Sequence, residues 1–327
     1  MRDVAREAGV SLKTVSRVVN GQTSVGADNA ARVTEAIQRL GFRRNDIARN
    51  LRRGRSTAVI GVVIEDLANP FYSAVTRAVE KVARQHGFMV LTASSDEDAE
   101  RERELVEEFC ARRVDGLVIV PAAKDHRYLQ PELAAGIQAV FVDRPAGRIQ
   151  ADAVLLDNAG GARAAVEHLL AGGHRRIACI GDATTIATAA ERVRGYREAL
   201  DAQGPGVDPR LVRLGSHDVE HAESAAGELL EMPDPPTAFF TTNNRNTLGV
   251  LQALRGRGVR RALVGFDDFE LAGLLDPPVT VVAYDTAELG RLAAELLFAR
   301  LEGERTRARR VTVETRLVPR GSGEIGP

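Results

Sequence analysis

The chain of 327 residues has no tryptophan, only two cysteines, and few aromatics: 10 Phe and 4 Tyr. Cys110 and Cys179 cannot build a disulfide scaffold, and neither stands at a metal-ligand spacing. No stretch approaches the ~20 consecutive apolar residues of a membrane span, so no membrane partner is expected. The opening Met1-Arg2-Asp3-Val4-Ala5-Arg6-Glu7 lacks the apolar core of a secretory signal, which points to a cytoplasmic protein. Enzymatic signatures are missing as well. No G-x-G-x-x-G follows a strand, and no Walker A loop, HExxH or nucleophile elbow occurs. The six histidines are scattered and pair with no evident Ser or Cys nucleophile. The expectation is a protein without catalytic residues, cofactor or metal. What is present is ordinary globular composition, 44% hydrophobic and 27% charged, at a length suited to roughly two domains of about 150 residues.

The formal net charge of −1 hides an asymmetry. Residues 1–56 hold 12 Lys and Arg against 5 Asp and Glu, a local net of +7, and the other 271 residues hold 32 against 40, a net of −8. A small basic head on an acidic body suggests a polyanion-binding module joined to a regulatory or catalytic domain. Charge alone does not choose between DNA, RNA and a membrane surface.

Residues 1–42 read as three short helices. The first runs from about Arg2 to Ala8 and stops at Gly9. Ser11 is placed to cap a second helix reaching Val19, in which Val15, Val18 and Val19 face a core. Leu12, Lys13, Ser16 and Arg17 share its opposite face. A third helix, about Ala27 to Leu40, carries Val33, Ile37 and Leu40 at helical spacing. Two helices joined by Ala8-Gly9-Val10-Ser11, the second with a polar and basic outer face, fit a helix-turn-helix. A small helical bundle with a solvated face fits the same periodicity. Residues 43–55 add six arginines. There Asn45 can cap a helix of one or two turns in which Ile47, Ala48 and Leu51 form a stripe, too short to be stable without a partner.

Asp3-Val4-Ala5-Arg6-Glu7-Ala8-Gly9-Val10-Ser11, followed by Thr14-Val15-Ser16-Arg17-Val18-Val19-Asn20, resembles the DNA-binding head of the LacI/GalR family of bacterial transcription regulators. Asn45-x-x-Ala48-x-x-Leu51 resembles that family's hinge helix. The resemblance implies that Leu12, Lys13 and Arg17 read base edges in the major groove, with Ser16 and Asn20 near the groove edge and phosphates. It further implies that Leu51 wedges into the minor groove at the centre of a pseudo-palindromic operator, beside its copy from a second subunit. Three departures stand out. No Thr caps the first helix, Arg44 stands where the family commonly has Pro, and Gly26 replaces the usual Ser or Thr before the third helix.

From Thr57 the pattern becomes strand–helix alternation. Ten apolar strands are expected at 58–64, 88–93, 116–120, 139–142, 153–156, 177–180, 211–214, 238–241, 262–266 and 280–283. Amphipathic helices lie between most of them, at 72–85, 99–112, 161–171, 191–202, 219–230 and 247–255. A last helix at 287–301 and an extended tail at 310–317 close the chain. Such alternation means an α/β body of doubly wound parallel sheets, and about ten strands suit two lobes. The organisation expected is a helix-turn-helix head (1–42), a hinge and linker (43–56) and a two-lobed domain (57–327).

The body, too, resembles this family, whose effector domain is similar to periplasmic sugar-binding proteins. Asn69-Pro70-Phe71-Tyr72, Val142-Asp143-Arg144, Gly173-His174-Arg175-Arg176-Ile177, Glu191-Arg192-x-x-Gly195-Tyr196, Asn243-Asn244 through Leu248-Gly249, and Gly265-Phe266-Asp267-Asp268 carry the likeness. It implies a homodimeric repressor controlled by a small molecule, a sugar or sugar derivative, between the lobes at the carboxyl ends of the strands. The effector-binding residues so implied are Phe71, Tyr72, Asp143, Arg192, His217, Asn244, Asp268 and Tyr284. Asn244 stands where many relatives have Asp, so it offers an amide donor and acceptor in place of a charge. His174, Arg175 and Arg176 read as turn and surface residues. Leu317-Val318-Pro319-Arg320-Gly321-Ser322 reads like a thrombin recognition sequence, which predicts trimming of the last few residues. The competing reading is a sugar-binding or sugar-modifying protein whose basic head is not an operator reader.

Overall fold

Small apolar residues at helical spacing assemble the first forty positions. In a computed structural model that describes all residues except 20, 21, 23, 43–56 and 217, they form α1 (Arg2–Ala8), α2 (Leu12–Val19) and α3 (Ala27–Arg39). Val4, Ala8, Val15, Val33 and Ala36 are buried together, with Val18, Val19 and Ile37 packed against them. Gly9 ends α1 in the left-handed region, at φ 61°. Ser11 caps α2 as its position suggests, its Oγ accepting from the Thr14 amide at 3.1 Å. Neither Met1 nor Gly26 supplies a side-chain cap to the helix it precedes. Leu40 departs from the expected core stripe. It follows the last helical residue and is 45% exposed.

The chain divides into two compact units, Met1–Thr57 and Ala58–Pro327. The second begins with β1 (Val59–Ile64), α4 (Pro70–Gln85), β2 (Met89–Ser94), α5 (Ala99–Ala111), β3 (Gly116–Ile119), α6 (Gln130–Ala134), β4 (Gln138–Asp143) and β5 (Asp152–Leu156). It continues with α7 (Asn158–Ala171), β6 (Ile177–Gly181), α8 (Ala187–Gln203), β7 (Val212–Leu214), α9 (Val219–Leu230), β8 (Ala238–Thr241), α10 (Asn244–Gly256) and β9 (Ala262–Phe266). Last come β10 (Thr280–Ala283), α11 (Thr286–Leu301), β11 (Arg310–Val313) and β12 (Arg316–Val318).

Two six-stranded sheets result, in the orders β11-β5-β4-β3-β1-β2 and β12-β10-β9-β8-β6-β7. Every pairing is parallel except β12 on β10. Each sheet is apolar on both faces because helices cover both. Along β1, Ile60, Val62 and Ile64 join one core and Val63 the other. Along β6, Ile177 and Cys179 face one way, Ala178 and Ile180 the other.

The chain passes between the lobes three times. After β5 it enters the second lobe, where α7 joins the core. After β10 it returns, and α11 packs on the first lobe with α4. The tail expected as one extended segment is two strands, β11 completing the first sheet and β12 the second. Asp152 anchors the return. Its fully buried carboxylate accepts from Arg300 Nε and Nη2 at 2.8 and 2.9 Å and from the Arg309 amide at 2.6 Å.

His174 is no surface residue. It is fully buried, with Nδ1 2.9 Å from Thr237 Oγ1 and Nε2 2.8 Å from the Ile325 carbonyl, and burial holds its pKa below the ordinary value. A neutral ring donating from Nε2 thus ties the C-terminal segment to β8. Arg176 does lie near the surface, paired with Asp208 and Asp234.

Candidate functional site

The strands of both lobes end around one cavity of about 490 Å³. From the first lobe come Glu65 and Asp66 after β1, Asn69, Phe71 and Tyr72 where α4 begins, Asp96 and Glu97 after β2, and Asp143 and Arg144 after β4. The second lobe contributes Asp182 after β6, Ile186, Thr188 and Arg192 at α8, Asn243, Asn244 and Arg245 opening α10, Asp267 after β9, and Tyr284 after β10. Open α/β sheets bind ligands at these carboxyl ends because connecting loops and helix N-termini converge there.

Local sequence explains how the side chains are held. Asn69 caps α4, accepting from the Phe71 amide at 3.1 Å, and Pro70 opens the helix, so both aromatic rings are placed at the cavity wall. Phe71 meets Tyr72 edge-on at 4.8 Å and Tyr284 at 5.9 Å between ring centres. Tyr72 is also a core residue, and its hydroxyl donates to Glu65 Oε2 at 2.7 Å. Asp143 ends β4 and Asp267 follows β9, both in the left-handed region, at φ 68° and 72°. Non-glycine residues seldom adopt this conformation, and four of the carboxylates lining the cavity do so, Asp96, Glu97, Asp143 and Asp267.

Arg192 reaches the cavity because Gly195, one turn on, lets α8 lie against α7. A Cβ at that glycine would stand 2.2 Å from the Ala159 carbonyl. The guanidinium donates from Nε to Asn158 Oδ1 at 2.7 Å and from Nη1 to the Thr242 carbonyl at 2.5 Å, pairs with Asp267 at 3.4 Å, and lies 3.8 Å over the Phe266 ring. Tyr284 donates to Asp267 Oδ1 at 2.7 Å, so Asp267 joins the arginine to the tyrosine. On the other side Arg144 donates to Glu97 Oε1 at 2.6 Å, the Pro121 carbonyl at 2.7 Å and Glu65 Oε2 at 3.1 Å. Arg245 pairs with Asp66 across the cleft.

Burial dominates the titration of these groups. It pushes Asp143 up to about 6, against the pull of Arg144 and Arg192. It pushes Glu97 up to about 7, against Arg144. Both tyrosines are held well above their ordinary value, so they stay neutral donors. Burial opposes the charge on Arg144, but Tyr72, Glu97 and Asp143 more than offset it, and the arginine stays ionised. Elsewhere, burial raises the Cys179 thiol to about 12 and Cys110 to about 11, which leaves both as protonated thiols. No cluster of His, Cys, Asp and Glu able to hold a metal occurs among the described residues.

Residues 57–320 match the family described as periplasmic binding proteins and sugar binding domain of LacI family, and residues 1–45 match the bacterial regulatory proteins of the lacI family. The chain belongs to the LacI family. It is 36% identical to the transcriptional regulator CelR of Thermobifida fusca, over 98% of this chain and 97% of that one. It is also 36% identical to the regulator GalS of Salmonella typhimurium, over 90% and 88%. Among solved structures it resembles a CelR–cellobiose complex (TM-score 0.74, 34% identity, 98% of each chain). It also resembles the lac repressor dimer bound to operator and the anti-inducer ONPF (TM-score 0.83, 28% identity, 98% of each chain). As a LacI-family member it is a sequence-specific DNA-binding regulator of transcription.

Six of the eight residues expected at the effector site line the cavity: Phe71, Tyr72, Asp143, Arg192, Asn244 and Tyr284. His217 lies outside the described residues. Asp268 is a correction. The left-handed turn at Asp267 directs the next side chain away, and Asp268 instead takes both arms of Arg320 at 2.7 and 2.6 Å. Its neighbour Asp267 is the carboxylate at the cavity. Glu65, Asp66, Glu97, Arg144, Asp182 and Arg245 were also missed, although each stands within three residues of a strand end or at a helix start, which is the signal that could have found them. In the LacI-type head, Leu12 is 47% exposed and Lys13 and Arg17 are exposed on α2, while Ser16 is half-buried. Asn20, Asn45, Ala48 and Leu51 lie outside the described residues.

Proposed function

We propose that the protein is a homodimeric repressor whose hold on a pseudo-palindromic operator is set by a small hydroxylated effector, a sugar or sugar derivative, bound in the cavity between the lobes. The observation that carries this reading is the cavity itself. Aromatic faces, a buried planar guanidinium and several carboxylates converge on it from both lobes, in a chain whose basic head exposes Leu12, Lys13 and Arg17 on one helix. Hydroxyl groups suit such a lining, since carboxylates accept from them and Arg192 Nη2, unused by the bonds to Asn158 and Thr242, can donate to them. The Phe71 and Tyr284 rings can cover the apolar face of a sugar ring. A sugar, cellobiose, is the molecule bound in the CelR complex named above.

In this reading two heads occupy two half-sites, because two-fold protein symmetry calls for two-fold operator symmetry. An effector that binds one angle between the lobes better than another shifts that equilibrium, and with it the fit of both heads to DNA. Coupling of about 1–3 kcal/mol would change operator affinity about 5–150-fold. Release of DNA by the effector is the proposed direction, and action on chromosomal DNA places the protein in the cytoplasm. The test is an electrophoretic shift and footprint of the full-length protein on DNA upstream of its own gene, at low ionic strength, with and without a panel of sugars. Protection of a two-fold symmetric site, weakened by one of the sugars, is expected. Absence of any specific protection refutes the operator assignment.

A further inference from the structure

The cavity is strongly unbalanced in charge. Among the described residues, seven carboxylates line it, from Glu65, Asp66, Asp96, Glu97, Asp143, Asp182 and Asp267, against three guanidiniums. Those three are already engaged by carboxylates: Arg144 by Glu65 and Glu97, Arg192 by Asp267, Arg245 by Asp66. An anionic ligand would therefore meet no arginine free of a carboxylate partner and an excess of negative charge.

Two buried acceptors point the same way. Asp143 is only 4% exposed, and its Oδ1 has no hydrogen-bond partner. Glu97 Oε2 is likewise buried without a partner, although Oε1 of the same carboxylate holds Arg144. A buried carboxylate oxygen left unpaired is unfavourable and is relieved by a donor, most strongly by a charged one. Both groups have pKa values raised by burial, so a cation that arrives beside them draws them into the ionised form.

We propose that the effector is a polyhydroxylated molecule bearing a protonated amino group, such as an amino sugar, and that the cleft excludes phosphorylated and acidic sugars. The proposal rests on the effector-cleft reading above. In it, the ring hydroxyls meet Arg192, Asn244 and the second-lobe carboxylates. The ammonium is taken up on the first-lobe side, where Asp143 Oδ1 and Glu97 Oε2 lack hydrogen-bond partners while the other oxygen of each carboxylate faces Arg144. No bond is made or broken.

The test is calorimetric titration of the full-length protein with matched hexose sets, each comprising the parent sugar, its 2-amino-2-deoxy form and its 6-phosphate. In at least one set the amino member is expected to bind about tenfold or more tighter than the parent, the gain of one charge-assisted hydrogen bond. The phosphate should bind more weakly than the parent. The amino preference, read as the ratio of amino to parent affinity within each protein, should shrink with added salt and in Asp143→Asn. An amino member no tighter than its parent in every set, or a phosphate that binds as well as the parent, overturns the proposal. Arg192→Ala, or Asn244→Ala if the former does not fold, identifies the cleft as the place of binding. If a parent sugar or phosphate binds best and this variant abolishes it, the amine assignment falls and the effector cleft stands. If no sugar gives heat that depends on these residues, both fall.

Discussion

Asp143→Asn separates what the cleft does for stability from what it does for binding. The substitution keeps shape, and asparagine tolerates the left-handed backbone that Asp143 adopts at φ 68°. It removes a charge held almost wholly out of water, at 4% exposure, with one oxygen unpaired. Burial raises this carboxyl from 3.8 to about 6, a gap worth at most about 3 kcal/mol of strain on the ionised form. A folded-state value above the unfolded one contributes stability that is complete below the unfolded value and lost as pH rises through the folded value. The native protein should therefore lose roughly 1–1.5 kcal/mol relative to the variant between pH 5 and pH 8. Urea unfolding without effector, at both pH values, measures this directly. The variant should be the more stable protein at pH 8 and should lose about half of that advantage by pH 5, while its affinity for an amine-bearing effector falls. A variant less stable than the native protein at pH 8 would refute the argument that desolvation outweighs the attraction of Arg144 and Arg192.

Other expectations follow from the same coordinates. Glu97, raised to about 7 by burial, takes up a proton as pH falls from 8 to 6, so the ligand-free protein gains stability over that window. Glu97→Gln should flatten that part of the profile, and an unchanged slope would sink the assignment. Operator affinity should fall steeply with salt because a basic head displaces phosphate counterions, and Lys13→Ala or Arg17→Ala, removing a base-reading side chain, should cost about 1–3 kcal/mol on the operator and relax specificity at the base it reads. A slope near zero would contradict phosphate contact. A protein beginning at Ala58, the start of the second compact unit, should bind effector in calorimetry yet leave DNA unshifted. Thrombin should not cut the folded protein at Arg320. Leu317 and Val318 lie in β12, the Arg320 amide donates to Thr280 Oγ1 at 3.0 Å, and Ser322 is 3% exposed. Rapid cleavage without denaturant would show that this segment opens easily.

Much of this protein is legible without coordinates, because periodicity is a local property. Short apolar runs separated by amphipathic helices place all ten expected strands, and Ser11 announces the helix it does cap. Charge partition likewise separates head from body by counting. The last strand pair shows the limit. Residues 310–317 look like one extended tail, but β11 completes one sheet and β12 the other. β11 joins its sheet through β5, more than 150 residues earlier, where Asp152 holds the Arg309 amide, whereas β12 joins the other sheet through β10. The choice between Asp267 and Asp268 is of the same kind. Two adjacent acids are equivalent in a string of letters, and only a left-handed turn at the strand end sends one toward Arg192 and the other to Arg320. Composition and spacing determined the parts and their order. The long-range pairing of charges, which occupies the cleft arginines and leaves Asp143 Oδ1 without a hydrogen-bond partner, was decided when the two lobes folded around a shared cavity.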